Sequence, residues 1–155
     1  MELKSQFKLK GKYRIKTFKA GTKELLRETD FIENLIVCNA NNGTYIIMSR
    51  LMNVLTYDLV ITQAKIGDGT TPPAITQTDL INTLVANIPV AQYSRSSVDE
   101  VVITFFISDA DLPNDDYKEF GIFAGDQLFA RSLITPTYTK ASGEDSQIDY
   151  TLSVS

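Results

Sequence analysis

The sequence contains no histidine and no tryptophan among its 155 residues, and it has a single cysteine, Cys38. Without histidine, a protein lacks the commonest general base, the commonest neutral zinc ligand and the base of Ser–His or Cys–His pairs. The composition therefore predicts a protein that is not an enzyme and that needs no cofactor. A lone cysteine cannot form an internal disulfide. We expect Cys38 to be a small buried residue, and we expect the protein to be made in a reducing cytosol.

Long apolar runs are also missing. No stretch approaches the ~20 residues of a membrane-spanning helix, which argues against a transmembrane segment. The start, Met1–Gln6, has no apolar stretch behind its charges, which argues against a signal peptide. With 155 residues, 43% of them hydrophobic, the chain is expected to form a single domain over residues 1–155 with a sizeable core.

What the sequence does have is a strict alternation near its N-terminus. Between Phe7 and Phe18 every second residue up to position 16 is basic, and the residues between the cations are mostly apolar. A period of two predicts an extended strand with one apolar face and one positively charged face. The cations are Lys8, Lys10, Lys12, Arg14 and Lys16.

The charge of the chain is divided between two regions. Residues 1–27 carry a net charge of +7, whereas residues 28–155 carry −11. Segregation of this kind steers and orients association with a charged partner. The basic strand is therefore interpreted as a protein-docking element.

The remainder of the sequence is dense in strand signals. One segment near residues 44–56 has the apolar spacing of an amphipathic helix, which we expect to be well buried against a sheet. A hairpin is predicted across Gly125-Asp126. The pattern predicts a mainly β fold: an antiparallel β-sandwich or partly closed barrel of about eight strands, with one packed α-helix and an N-terminal β-hairpin.

The N-terminal hairpin permits a prediction of register. If its loop is Lys19-Ala20-Gly21, with Gly21 in the left-handed position, the basic face of the first strand meets acids of the second. A shift of one residue would turn the apolar side chains away from the core. The predicted ion-pair ladder joins Lys16 to Glu24, Lys12 to Glu28 and Lys10 to Asp30.

Two charged segments could in principle bind a ligand, calcium in one case and nucleic acid in the other. The acidic loop Asp109–Asp116 offers oxygen ligands of the type calcium uses, but it lacks the glycine and the glutamate of an EF-hand loop. A solvated loop is the preferred interpretation, and calcium binding stays open. Nucleic acid is disfavoured for the basic strand because the isoelectric point is about 4.8 and Tyr13 points to the opposite face.

Short motifs in the second part of the chain resemble those of bacteriophage tail and other virion proteins. Ala64–Pro73, followed by Thr78–Leu80, is similar to a pattern in which a strand ends in a Gly-x-Gly-Thr turn and a loop leads to an Asp-Leu pair. Lys118–Phe123 with Leu128–Ser132 is similar to the Glu-hydrophobic-Gly-hydrophobic-Phe hairpin and following Ala-Arg of the same proteins. The resemblance covers residues 32–155.

The resemblance implies a non-enzymatic building block of a virion, made in the host cytoplasm. Its partners would be copies of itself and other virion structural proteins. The basic hairpin of residues 1–31 lies outside the resemblance and is expected to be an addition to a core of residues 32–155. The leading hypothesis is a tail-associated subunit of a baseplate, fibre or adaptor, joining a symmetric assembly through its sheet edges and the hairpin.

Two alternatives remain: a capsid decoration or head-fibre protein, and, in a different class, a carbohydrate-binding module for host recognition. The motif residues also have structural interpretations. Glu119 and Arg131 are expected to pair across their hairpin, at little benefit to stability if they are exposed. Turn or close-packing roles are expected for Gly21, Gly67, Gly69 and Gly121.

Overall fold

The fold is mainly β, as the alternating sequence pattern predicts. The computed structural model describes residues 8–155. The strands are β1 (Leu9–Lys19), β2 (Leu25–Glu28), β3 (Ile32–Ile36), β4 (Cys38–Asn39), β5 (Asn42–Gly43), β6 (Gln63–Gly67), β7 (Thr83–Ser97), β8 (Glu100–Ile107), β9 (Asp116–Ala124), β10 (Gln127–Thr139) and β11 (Glu144–Val154). A helix, α1 (Thr44–Leu51), follows β5.

Eight of the strands close into an antiparallel barrel, in the order β11-β8-β7-β6-β9-β10-β3-β1. The closing contact joins β1 to β11 along the whole of β1, from Leu9 opposite Val154 to Lys19 opposite Glu144. This confirms the predicted fold class. Of the two architectures expected, sandwich or partly closed barrel, the chain adopts a barrel, and its eight strands form a closed ring.

Alternate residues of each barrel strand fill the interior. On β1 these are Tyr13, Ile15 and Thr17, all buried. Polar groups that enter the core are hydrogen-bonded there, as buried polar groups must be. The Tyr13 hydroxyl lies 2.6 Å from Ser132 Oγ, and the Thr17 hydroxyl lies 2.8 Å from that of Tyr138.

A second, smaller core lies outside the barrel wall. The irregular segment 68–82 packs over the outer faces of β9 and β10, where Leu80 joins Val37, Phe123 and Leu128 in a buried cluster. Because β9 is covered on both faces, nearly all of its residues are buried. The hairpin predicted across Gly125-Asp126 connects β9 to β10.

The predicted helix is present, but the expectation that it is well buried is wrong. It ends at Leu51, and Asn53 beyond it has a positive φ of 60°. The helix packs through Ile46 and Ser49, whereas Leu51 and Met52 are 76% and 74% exposed. An apolar stripe shows which face can be buried, and here only one side of the helix has a neighbour.

The register predicted for the first hairpin is also wrong. Five residues, not three, separate β1 from β2, and Lys16 lies opposite Glu28 instead of Glu24. Hydrogen bonds to the turn lengthen the loop, because the Thr22 hydroxyl donates to Lys19 O and Asp145 accepts from the Gly21 amide. Gly21 has the expected left-handed conformation.

The N-terminal strand lies within the barrel wall. We expected residues 1–31 to be added to a core of residues 32–155, but β1 pairs with β11 on one side and with β2 and β3 on the other. Cys38 is exposed, contrary to the expectation that it is buried. Within residues 8–155 no helix is both long and apolar enough to cross a membrane.

Candidate functional site

The basic residues of β1 form a row on the outside of the barrel. Lys8, Lys10 and Lys12 are exposed, and Arg14 and Lys16 are partly exposed. The residues between them on β1 point into the core. The predicted alternation of a basic and an apolar face is therefore confirmed, and we call this row of five cations the basic face.

Two of the five cations are neutralised by neighbouring strands. Arg14 Nη1 lies 3.0 Å from Glu28 Oε1, and Lys16 Nζ lies 3.0 Å from Asp149 Oδ2. Burial acts to raise the pKa of Asp149, but hydrogen bonds from Gln147 and Lys16 outweigh it and hold that pKa below its usual value. The C-terminal half of the basic face is thus part of the barrel's own ion-pair structure.

An aromatic ring lies against the middle of the row. The Phe31 side chain is half exposed, with Lys12 Nζ 4.4 Å and the Arg14 guanidinium carbon 4.9 Å from its ring centroid. Cations over a ring face are attracted by its quadrupole, at about 0.5–1 kcal/mol for an exposed pair. Phe31 therefore holds Lys12 and Arg14 close together without cancelling their charge.

The N-terminal half of the basic face forms no ion pair with the acids of residues 8–155. Among residues 8–155 no salt bridge involves Lys8, Lys10 or Lys12. The nearest acid in the ladder is Glu33, opposite Lys12 on β3. Three positive charges therefore remain available on a rigid strand whose backbone is fixed by β11.

Of the three acids predicted to oppose the basic face, the structure brings one into an ion pair. Glu28 binds Arg14, whereas neither Glu24 nor Asp30 takes part in a salt bridge within the described residues. Sequence reasoning missed Asp149, which lies opposite Arg14 on the last strand. The alternation of Asp149 with Thr151 and Ser153 predicts that these side chains share one face of the last strand. No local pattern in the sequence indicates that β11 is the neighbour of β1.

A cleft opens beside the lysines that have no acidic partner. It has a volume of about 540 Å³ and lies where β1 and β3 separate. Lys10 and Lys12 line one wall, and Glu33, Asn34 and Leu35 line the other. The basic face is therefore bordered by a recess.

The glycine motifs form a separate structural site around Glu119. This carboxylate accepts hydrogen bonds from the amides of Gly69 (3.0 Å), Ile81 (3.0 Å) and Asn82 (2.7 Å). It also binds Arg131 Nε at 2.9 Å. The predicted pairing of Glu119 with Arg131 is confirmed, but both side chains are fully buried.

The glycines at this site make room for their neighbours. A Cβ at Gly69 would overlap the Glu119 carboxylate, and one at Gly67 would overlap Asn82 O. Gly121 lies inside β9 instead of in a turn, and a Cβ there would come within 2.8 Å of Leu80. These glycines shape the buried layer under segment 68–82.

The acidic loop is tied to the barrel by a lysine. The buried Lys140 ammonium donates to Asp109 Oδ1 at 2.6 Å and to Asn114 Oδ1 at 3.2 Å. That hydrogen bond from Lys140 is the main reason that the pKa of Asp109 is lowered. Across the described part of the chain, no group of three or more His, Cys, Asp or Glu side chains is placed to hold a metal ion.

Comparison of the chain with protein-family models, with curated proteins and with solved structures found no match. The motifs around Gly69, Glu119 and Arg131 form a buried structural site, and the basic face lies outside them.

Proposed function

We propose that this chain is a non-enzymatic structural subunit of a bacteriophage virion, tail-associated, that docks on acidic protein surfaces through its basic face. Those surfaces belong to copies of itself and to neighbouring structural proteins. The observation that carries the proposal is the outward row of Lys8, Lys10 and Lys12, which has no acidic partner within residues 8–155.

The charge distribution supports docking between identical subunits. Residues 28–155 carry a net charge of −11, so most of the chain offers an acidic surface to the basic face of a neighbour. Contact between two different patches of identical subunits is heterologous, and it builds rings or filaments depending on the rotation between subunits. Electrostatic complementarity fixes the register of such contacts and speeds association.

Barrel closure changes where the docking is expected to occur. The sequence predicts pairing through free sheet edges, but β1 and β11 close the barrel on each other. The edge of β1 that faces β11, and the edge of β11 that faces β1, are therefore already paired within the subunit. The outer face of β1 is the part that remains available, and its side chains carry the charge.

The residues of the chain favour a structural role over a catalytic one. Its 155 residues include no histidine. Three carboxylates with lowered pKa values are each bound by a cation, Asp109 by Lys140, Glu144 by Arg27 and Asp149 by Lys16. The assignment to a virion is supported by the resemblance of the Gly69 turn and the Glu119 hairpin to virion-protein motifs.

Self-assembly is tested by sedimentation velocity at low salt and at about 1 M salt, where the Debye length falls to about 3 Å. We expect the protein to form oligomers at low salt that dissociate at high salt. Replacement of Lys8, Lys10 and Lys12 with glutamate should give a monomer in both conditions. A thermal melt of that variant checks that the barrel is still folded.

A matched control carries the same change in charge at other exposed or half-exposed sites, Arg50, Arg95 and Lys118. Replacement of those three residues with glutamate should leave assembly in place. Assembly of the Lys8, Lys10 and Lys12 variant at the wild-type level would contradict the proposal. Wild-type assembly that does not respond to salt would contradict it as well.

A further inference from the structure

The ladder between β1 and β3 stops after three residue pairs. Gly11 lies opposite Asn34, and continuation of the same register would place Lys10 opposite Leu35 and Leu9 opposite Ile36. Instead the strands separate, and these next four residues line the cleft of about 540 Å³. The barrel wall is therefore split at one end of the β1–β3 seam.

Among residues 8–155, each strand at the split has a partner on one side only. Leu9 and Lys10 pair with Val154 and Ser153 of β11, and the other edge of β1 faces the cleft. Likewise, Leu35 and Ile36 of β3 pair with β10 and face the cleft on the other side. A strand edge without a neighbour presents backbone donors and acceptors that can pair with an added strand.

The charges around the cleft select the kind of segment that fits. Lys10 and Lys12 line it, and neither forms a salt bridge within the described residues. Glu33 is the one acid on the cleft wall, and Asn34 and Ser153 are neutral and polar. A segment with carboxylates at alternate positions would pair with the lysines while its backbone pairs with the two strands.

We propose that the cleft takes a short, extended, acidic segment of a partner protein, which inserts as a strand between β1 and β3. This rests on the proposed function and concerns its contacts with neighbouring structural proteins, because it names the segment of such a partner that the basic face recognises. A second copy of this chain is a poor source of the segment. Its acidic loop is held by Lys140 through Asp109 and its long strands are already paired in the barrel.

The proposal is tested with a labelled ten-residue peptide of alternating Glu and Val, added to the full chain and followed by fluorescence anisotropy. A second peptide has the same charges but carries N-methyl groups on alternate residues, which removes backbone donors on one edge. We expect the methylated peptide to bind about tenfold more weakly, because backbone hydrogen bonds to the two strands are lost. Amide NMR shifts should move at Leu9, Lys10, Leu35 and Ile36.

Variants of the cleft wall give opposite effects. Lys10→Glu combined with Lys12→Glu should abolish binding of the unmodified peptide. Glu33→Gln should tighten it by about two- to fivefold, because it removes the one repulsive charge. Glu24→Gln makes the same change at an exposed site outside the cleft and should leave the affinity unchanged.

Several outcomes would overturn strand insertion. Equal binding of both peptides would mean that charge alone is recognised, which leaves the proposed function standing. Failure of the unmodified peptide to bind would refute insertion, while sedimentation of the Lys8, Lys10 and Lys12 variant decides the proposed function separately. Dissociation of wild-type oligomers by excess unmodified peptide, followed by sedimentation, would assign the cleft to a second copy.

Discussion

The Arg131 guanidinium and the Glu119 carboxylate lie 2.7 Å apart, and neither side chain has any solvent-exposed surface. A buried ion pair of this kind adds little net stability over apolar side chains, but removal of one partner leaves a charge without compensation. Here the carboxylate also holds the backbone of segment 68–82 through Gly69, Ile81 and Asn82. One side chain therefore fixes a loop of irregular structure onto the barrel.

Glu119→Gln is expected to lower the free energy of unfolding by about 3–5 kcal/mol, because Arg131 would be left charged in the core. Asp79→Asn, which breaks the more exposed pair with Lys65, should cost less than about 1 kcal/mol. Urea denaturation of both variants measures the difference. Similar losses for the two variants would show that burial of the Glu119 pair does not matter.

Gly11→Ala is expected to destabilise the barrel by about 1–3 kcal/mol, because there is no space for a larger residue. A Cβ at this position would overlap the Tyr150 hydroxyl and Asn34 Oδ1. Combination with Tyr150→Phe removes the nearest obstruction, the hydroxyl oxygen, and leaves Asn34 Oδ1 and the ring carbon Cζ in place. The cost of Gly11→Ala should therefore be smaller in that background but should not vanish. A double-mutant cycle measures this coupling, and strictly additive effects would argue against the overlap.

Glu144 is expected to make stability dependent on pH in the acid range. The hydrogen bond from Arg27 lowers the pKa of Glu144 below its ordinary value of 4.5 in the folded protein. The resulting stabilisation is present above about pH 4.5 and is lost as the pH falls through the folded-state value. In Arg27→Gln, the free energy of unfolding should fall less between neutral and acid pH than it does in the wild type.

The carboxyl carbon of Glu144, followed by NMR, reports the same effect directly. Its titration midpoint should lie below 4.5 in the wild type and rise in Arg27→Gln. Lys23→Gln removes another exposed cation of the same loop region and is the control, with no expected change. An unchanged midpoint in Arg27→Gln would refute the role of Arg27.

The two sides of α1 are expected to differ sharply in their response to truncation. Ile46 is fully buried, so Ile46→Ala should cost about 2–5 kcal/mol. Leu51 is largely exposed, and Leu51→Ala should change stability by no more than about 0.5 kcal/mol. Thermal or chemical denaturation compares the two. A large loss for Leu51→Ala would mean that its side of the helix is covered in solution.

The sequence was sufficient for features that depend on local periodicity. The alternation around Tyr13 predicted both the strand and the face on which its cations lie, since a period of two allows one arrangement of side chains. The tight turn at Gly125 predicted the β9–β10 hairpin in the same way. Pairing of Glu119 with Arg131 followed from the same hairpin.

Features that depend on distant residues were not predictable in this way. Asp149 is 133 positions from its partner Lys16, and no local pattern identifies β11 as the neighbour of β1. The hairpin register depended on Asp145, which binds the Gly21 amide from far along the chain. The prediction that α1 is well buried was wrong because an apolar stripe does not reveal whether a neighbouring element covers it.

The seam between β1 and β11 has a consequence for the order of folding. It joins the residues that are furthest apart in the described sequence, with Lys8 and Ser155 exchanging two backbone hydrogen bonds. Contacts of such long range are slow to form, because the whole intervening chain must be ordered as a loop. The split between β1 and β3 is a cleft in a closed wall only once the β1–β11 seam has formed. Under the proposed function, a subunit would therefore offer its docking surface only after the two ends of the described chain have paired.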